Sequence, residues 1–285
     1  MHQKLPMEPN PFLAVNMDVF LIIMLYVVGD VTEGSYPISR RVCNAWRAAV
    51  AQHPVHINTR TLRTRADFET AIEISSTWKW KAYGEVSLDL QYVHALHTLY
   101  LKNIHDLTNV NALAAASSLH TLDISYCSRL TSIDALAAAP ALHTLLLWHC
   151  IRLNNVNALA TAPVLHTLRL AYCTVLTNVN ALATAPALHT LRLMDCTGLT
   201  NVNALATAPV LHTLHLAYCT GLTNVNALAT APALHTLDLS GCTGLTNVNA
   251  LATAPVLHTL HLTDCTGLTN VNALATAPAL RRLIR

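Results

Sequence analysis

The chain has 285 residues, enough for one large domain or two smaller ones, and at 53% hydrophobic it holds ample material for a buried core. Only 11% of residues are charged, against about a quarter in an average soluble domain. The formal net charge of +2 comes from scattered groups with no lysine or arginine run to track a phosphate backbone, which argues against nucleic acid as a partner. In chain order the first feature is Val19 to Val28 (VFLIIMLYVV), uncharged and bounded by Asp18 and Asp30. It is shorter than the roughly 20 apolar residues of a membrane span. Glu8, Pro9, Pro11 and Asp18 precede it and no small-x-small site comes after it, so a cleaved signal peptide fits poorly.

Asp18 to Val28 reads as one helix and Ile38 to Ala51 as a second, with Val42, Trp46 and Val50 at helical spacing. A loop carrying Gly29, Gly34 and Pro37 separates them. An apolar helix followed by a helix with V-C-x-x-W-R, here Val42, Cys43, Trp46 and Arg47, resembles the F-box motif. It departs from that pattern where a Leu-Pro pair would open the first helix: Met17 and Asp18 stand there, and Leu5-Pro6 lies upstream. The resemblance implies a helical domain over residues 1–59 that binds a cullin-adaptor protein, with Phe20, Ile23, Val42 and Trp46 divided between its small core and the adaptor groove. The bland alternative is a cap over the N-terminal edge of the downstream domain. Residues 60–95 carry Arg60, Arg63 and Arg65, then Trp78, Trp80 and Val86 to Leu90, and read as a linker and capping strand.

From residue 96 the chain repeats itself every 23 residues: Leu96, Leu119, Leu142, Leu165, Leu188, Leu211, Leu234 and Leu257 open eight copies and Leu280 a partial ninth. The consensus L-H-T-L-x-L-x-x-C-T-G-L-T-N-V-N-A-L-A-T-A-P-A/V matches L-x-x-L-x-L-x-x-C-x-x-L in its first twelve positions, which is similar to the leucine-rich repeats. That resemblance implies an α/β repeat solenoid over 96–285: a curved parallel sheet on the concave side and short helical or 3-10 segments on the convex side. Leucines at repeat positions 1, 4, 6, 12 and 18 and valine at 15 are expected inside, since no single copy can bury that face alone. Proline at position 22, Pro140 to Pro278 in seven copies, suits the return bend. Position 23 alternates Ala and Val from Ala141 to Ala279, so the unit last copied is a 46-residue pair. The array stops at Leu280-Arg281-Arg282-Leu283-Ile284-Arg285 without a polar capping copy; three arginines against edge pairing, a truncated chain and a covering partner stay open as explanations.

Against near-identical copies, the positions that still vary are informative. Position 5 (Tyr100, Asp123, Leu146, Arg169, Arg192, His215, Asp238, His261) lies between two inward leucines and therefore points out of the concave face, as does position 7. Position 8 adds Tyr126, His149, Tyr172, Asp195, Tyr218 and Asp264. Tyr, Trp and Arg are enriched at binding hot spots, and Tyr126, Trp148, Arg169, Tyr172 and Arg192 sit in four consecutive copies. Free drift of outward residues is the alternative, but drift would also have changed the exposed His and Thr of positions 2 and 3.

Position 9 is Cys in seven copies (Cys127 to Cys265) and Ile104 in the first. A line of equivalent thiols offers no unique disulfide pairing, favours a reducing compartment, and lacks the convergence that zinc requires. Position 2 is His in all eight copies (His97 to His258), expected to cap backbone groups in each copy; a pH-sensitive or metal-binding strip is the sharper alternative. Asn at positions 14 and 16, such as Asn201 and Asn203, suggests further ladders. Every copy presents the same polar set, so no single catalytic constellation stands out, and neither an enzyme nor a cofactor or metal is expected. The sequence thus reads as a cytoplasmic or nuclear protein-binding scaffold without a membrane span, and the F-box resemblance implies that it serves a cullin-type ubiquitin ligase as substrate adaptor. The alternative is a stand-alone recognition or surface-adhesion solenoid.

Overall fold

A computed structural model describes residues 79–83, 97–102, 104 and 107–285. Phe20, Ile23, Val42 and Trp46, the two helices around them, the 59/60 boundary and Val86 to Leu90 lie outside the described residues. The described chain forms one ten-stranded sheet whose strands pair in sequence order. They are β1 (Lys79–Tyr83), β2 (Thr98–Lys102), β3 (Thr121–Ser125), β4 (Thr144–Trp148), β5 (Thr167–Ala171), β6 (Thr190–Met194), β7 (Thr213–His215), β8 (Thr236–Asp238), β9 (Thr259–His261) and β10 (Arg282–Ile284). All pairs are parallel, and from β2 to β9 the register matches like with like, as in Leu145 with Leu168 and Leu147 with Leu170. Two strands lie beyond the eight copies: β1 upstream of the first, and β10 in the partial ninth.

Strands start at the threonine of position 3, whose β-branched side chain favours extended backbone. The leucines of positions 4 and 6 then alternate inward, and Leu122, Leu145, Leu168, Leu191, Leu214 and Leu237 are fully buried. The expected convex segments are 3-10 turns: Asn111–Ala115, Asp134–Ala138 and six N-A-L-A-T segments running from Asn157–Thr161 to Asn272–Thr276. Each is held by i to i−3 bonds such as Leu205 N–H to the Val202 carbonyl (3.0 Å) and Ala208 N–H to the Leu205 carbonyl (3.1 Å). The asparagines act within their own coil, where the sequence suggested ladders. Asn201 Oδ1 accepts from the Asn203 N–H at 2.7 Å, closing an Asx turn that supplies one donor of the 3-10 segment with a partner. One continuous core of Leu, Val, Ile, Cys and Ala runs the length of the array. Burying each leucine in it contributes about 1.5–3 kcal/mol.

The copies fall into two groups at the strand end. In β2 to β6 the strand runs to position 7; in β7 to β9 it stops at position 5, and Cys219, Cys242 and Cys265 N–H donate back to the carbonyls of Leu216, Leu239 and Leu262 (3.0–3.2 Å). Position 11 changes one copy earlier, from Arg129, Arg152 and Val175 to Gly198, in the copy of β6, and then Gly221, Gly244 and Gly267. A Cβ on Gly198 would stand 2.4 Å from the Thr174 carbonyl oxygen, so the backbone there passes closer to the preceding coil than a side chain permits.

Candidate recognition face

Three rows of side chains line the concave side. Strict alternation would send position 8 inward after the inward residues at 4 and 6, yet the cysteine at 9 is buried. The chain resolves this by slipping one residue of phase at position 8, which takes the left-handed conformation in each copy from the second onward. The φ values are 59° at Tyr126, 53° at His149, 57° at Tyr172, 51° at Asp195, 59° at Tyr218, 70° at Gly241 and 59° at Asp264. For a bulky L-residue this backbone costs about 1–2 kcal/mol. It is held by the position-8 N–H, which donates to the position-7 carbonyl of the next coil at 2.7–3.0 Å from Tyr126 through Gly241. Nothing in the residue types at position 8 signals a positive φ except Gly241 and the aspartates, so sequence reasoning could not find this turn.

Its consequence is an aromatic rim. Tyr126 stacks on His149 (centroids 4.9 Å apart, planes 14°) and His149 on Tyr172 (4.5 Å, 10°), while Trp148 meets Tyr172 edge to face at 6.5 Å. Such contacts add about 0.5–1.5 kcal/mol each beyond burial. The rim remains open to solvent: Trp148 is 43% exposed, and Tyr126, Ile151, Val175 and Met194 are exposed likewise.

The position-5 row sorts itself by charge. At one end Asp123, expected to face outward, is buried instead: its carboxylate takes an ion pair from Lys102 (3.3 Å) and a short hydrogen bond from the Ser125 hydroxyl, which folds it down onto the sheet. At the other end His215 lies 3.3 Å from Asp238, whose second oxygen accepts from the Ser240 N–H (2.9 Å) and hydroxyl (2.6 Å). Burial works to raise the Asp238 carboxyl, but the hydrogen bonds from His215 and Ser240 outweigh it and hold it well below the ordinary carboxylate range. Between these satisfied ends stand Arg169 and Arg192, register partners on β5 and β6. Arg169 is exposed; Arg192 is half-buried, and its Nε is buried without a partner. Burial, and after it the Arg169 charge, lowers the Arg192 pKa. A buried donor left unpaired costs about 1–3 kcal/mol, and like charges opposite one another on a sheet add to that. Tyr100, Leu146 and His261 are half-buried in the same row, Tyr218 and Asp264 are exposed at position 8, and Asp195 is half-buried there.

Two further ladders flank this face. Seven imidazoles, His97 through His235, form a continuous stack with centroids 4.2–4.9 Å apart, and His258 closes it edge-on at 4.8 Å. The expected capping of backbone occurs at His235 alone, whose Nδ1 lies 2.7 Å from the Ala233 carbonyl oxygen. From His97 to His212 the Nδ1 instead lies 3.3–3.4 Å from the hydroxyl of the following threonine. Burial first, and neighbouring imidazoles next, lower the pKa of His120, His143, His189 and His212. The cysteines are free and buried, and each thiol points at the position-6 carbonyl of the coil before it, from Cys127 on Leu101 (3.8 Å) to Cys265 on Leu239 (2.9 Å). Burial raises the Cys127 thiol to about 11 and Cys150 to about 12. Among the described residues no group of His, Cys, Asp or Glu is placed to hold a metal ion, and no helix is long and apolar enough to cross a membrane.

No protein-family model and no curated protein matches the chain. Solved structures do match in fold. The leucine-rich repeat domain of the type III effector XopL aligns over 99% of this chain and 97% of its own at 18% identity and a TM-score of 0.54. A leucine-rich repeat protein of Leptospira interrogans aligns over 93% and 86% respectively, at 13% identity and a TM-score of 0.52. With its parallel sheet, 3-10 convex turns and strict 23-residue period, the described chain has the leucine-rich-repeat solenoid fold.

Proposed function

We propose that the chain is a protein-recognition scaffold that binds its ligand on the concave face of the second to fifth copies. The observation that carries this reading is the contrast within each coil. The buried positions are held nearly constant, while positions 5, 7 and 8 place Tyr126, Trp148, Arg169, Tyr172 and Arg192 side by side, Tyr126, Trp148 and Arg169 exposed and Tyr172 and Arg192 half-buried. These are the residue types that dominate binding energies at interfaces. Buried, unoxidised thiols agree with a reducing compartment, and we assign the protein to the cytoplasm or nucleus on that ground.

The finer reading, a substrate-recognition adaptor of a cullin-type ubiquitin ligase, rests on Val42, Cys43, Trp46 and Arg47 alone. One comparison tests both levels: affinity capture from lysate with the intact chain, with Tyr126→Ser/Trp148→Ala/Tyr172→Ser, and with Val42→Asp/Trp46→Ala. The first variant is expected to lose ligands while keeping its circular-dichroism spectrum. The second is expected to lose a cullin adaptor and keep the ligands. Capture unchanged by the first variant contradicts concave recognition; an adaptor absent from the intact chain leaves a stand-alone recognition solenoid.

A further inference from the structure

We infer that the ligand of this face is an extended acidic peptide, which places a carboxylate on Arg169 and Arg192 and, two residues along, an apolar side chain against the exposed Trp148 and Met194. This inference rests on the recognition reading above and names its partner.

The charge pattern supplies the first half. Of the acidic groups in the position-5 row, Asp123 is occupied by Lys102 and Ser125, and Asp238 by His215 and Ser240. The two arginines between them keep their charge facing the concave side with no ion pair of their own among the described residues, and Arg192 Nε has no acceptor. A guanidinium presents its donors as a planar fork that matches a carboxylate, and two forks on adjacent strands, about 4.8 Å apart, can share one. A carboxylate arriving there would remove the repulsion between the arginines, so the free protein is poised for an anion at this one place in the row.

The apolar half lies two residues further along β5. Ala171 pairs with Trp148 on one side and Met194 on the other, and it is buried while both neighbours are exposed. Ala171 is thus covered by its neighbours, and Trp148, set edge to face on Tyr172, and Met194 present a pair of exposed apolar side chains on either side of it. The step from Arg169 to Ala171 along the strand is about 6.7 Å, the distance between same-face residues i and i+2 of an extended chain. A peptide reading Glu-x-Leu or Glu-x-Phe in strand conformation therefore meets both features together. Beside Ala217 the equivalent pair is Met194 and Ser240, with only one apolar member, and Asp238 there already holds His215. The pairing of features occurs once in the described array.

The test is selection of a phage-displayed random peptide library on the full chain, followed by fluorescence anisotropy with the enriched peptide. Enriched sequences are expected to share an Asp or Glu two residues from an aliphatic or aromatic residue. Arg169→Glu/Arg192→Glu should weaken the peptide at least about 30-fold, the loss typical of a hot spot, and should recover affinity for the peptide whose acid is changed to lysine. Arg169→Lys/Arg192→Lys, which keeps the charge without the fork, should bind with intermediate affinity and guards against misfolding of the reversed chain. Trp148→Ala/Met194→Ala, which removes the exposed apolar pair, should weaken the peptide while its acidic residue still matters. Peptides whose binding ignores the charge reversal, or tolerates Glu changed to Gln, overturn this assignment and leave concave recognition standing. No enrichment, together with ligand capture unaffected by the aromatic substitutions, overturns both.

Discussion

The second to fifth copies and the sixth to eighth share a consensus, yet they use it differently. In the first group five-residue strands carry Trp148 and Met194 at position 7, the aromatic rim is continuous, and two arginines face outward unpaired. In the second the strands shorten to three residues, position 7 is Ala217, Ser240 and Thr263, position 11 is glycine as it already is at Gly198, and the one carboxylate of the position-5 row is tied to His215. The thiols divide in the same way, at 3.5–4.0 Å from their carbonyls in Cys127 to Cys196 and 2.9–3.0 Å in Cys219 to Cys265. Stacking requires only the buried positions to agree, so the exposed ones are free to differ; the second group is a tightly closed spacer, the first an open surface.

The comparison can be broken most forcefully in the core, where the groups should not differ. Leu170 and Leu239 are equally buried, and Leu170→Ala and Leu239→Ala should each cost about 2–5 kcal/mol in urea unfolding. A large gap between the two would mean that the copies do not share one cooperative core. At the surface they should differ: Trp148→Ala is expected to cost about 2 kcal/mol of ligand binding and Thr263→Ala less than about 0.5, measured by titration calorimetry. Position 11 sharpens the contrast in stability. Gly221→Ala drives a Cβ toward the Thr197 carbonyl and should lose about 1–3 kcal/mol, whereas Val175→Ala, at an exposed site, should change stability by no more than about 0.5.

The histidine stack runs through both groups and gives them a shared pH response. His120, His143, His189 and His212 have folded pKa values below the ordinary 6.5, so the unfolded chain binds more protons just below that value. Stability is therefore full above about pH 6.5 and falls as the pH drops through it, and thermal melts between about pH 7.5 and 5 should show the loss. His143→Asn/His189→Asn should flatten the curve; a curve that rises on acidification would contradict the burial of the stack. The smallest effect belongs to the left-handed turn. Asp195→Gly relieves backbone strain and should gain up to about 1 kcal/mol, while Tyr172→Gly, which also loses its stack on His149, should gain nothing.

Much of the architecture was legible because one period governs it. Leu96 to Leu280 announce the coil length, the alternation of Leu122 and Ile124 announces strands, and N-A-L-A-T is too short for more than a 3-10 turn. The outward character of the rows at positions 5 and 7 came from the same alternation. What the sequence hid depends on neighbours across the stack. The phase slip at position 8 occurs in tyrosine, histidine and aspartate alike, because the next coil's carbonyl holds it, and no local propensity reports that. The burial of Asp123 depends on Lys102, one coil away, whereas the closeness of the imidazoles follows from the strand spacing of about 4.8 Å.

The most direct test of the central claim is hydrogen–deuterium exchange of the full chain with and without the peptide enriched on it. Concave recognition by the second to fifth copies predicts slowed exchange confined to the strand ends and position-8 turns between Tyr126 and Asp195, with the convex 3-10 segments and the strands from Thr213 onward unchanged. Protection centred on Thr213 to Ile284, or on the convex turns, would contradict it.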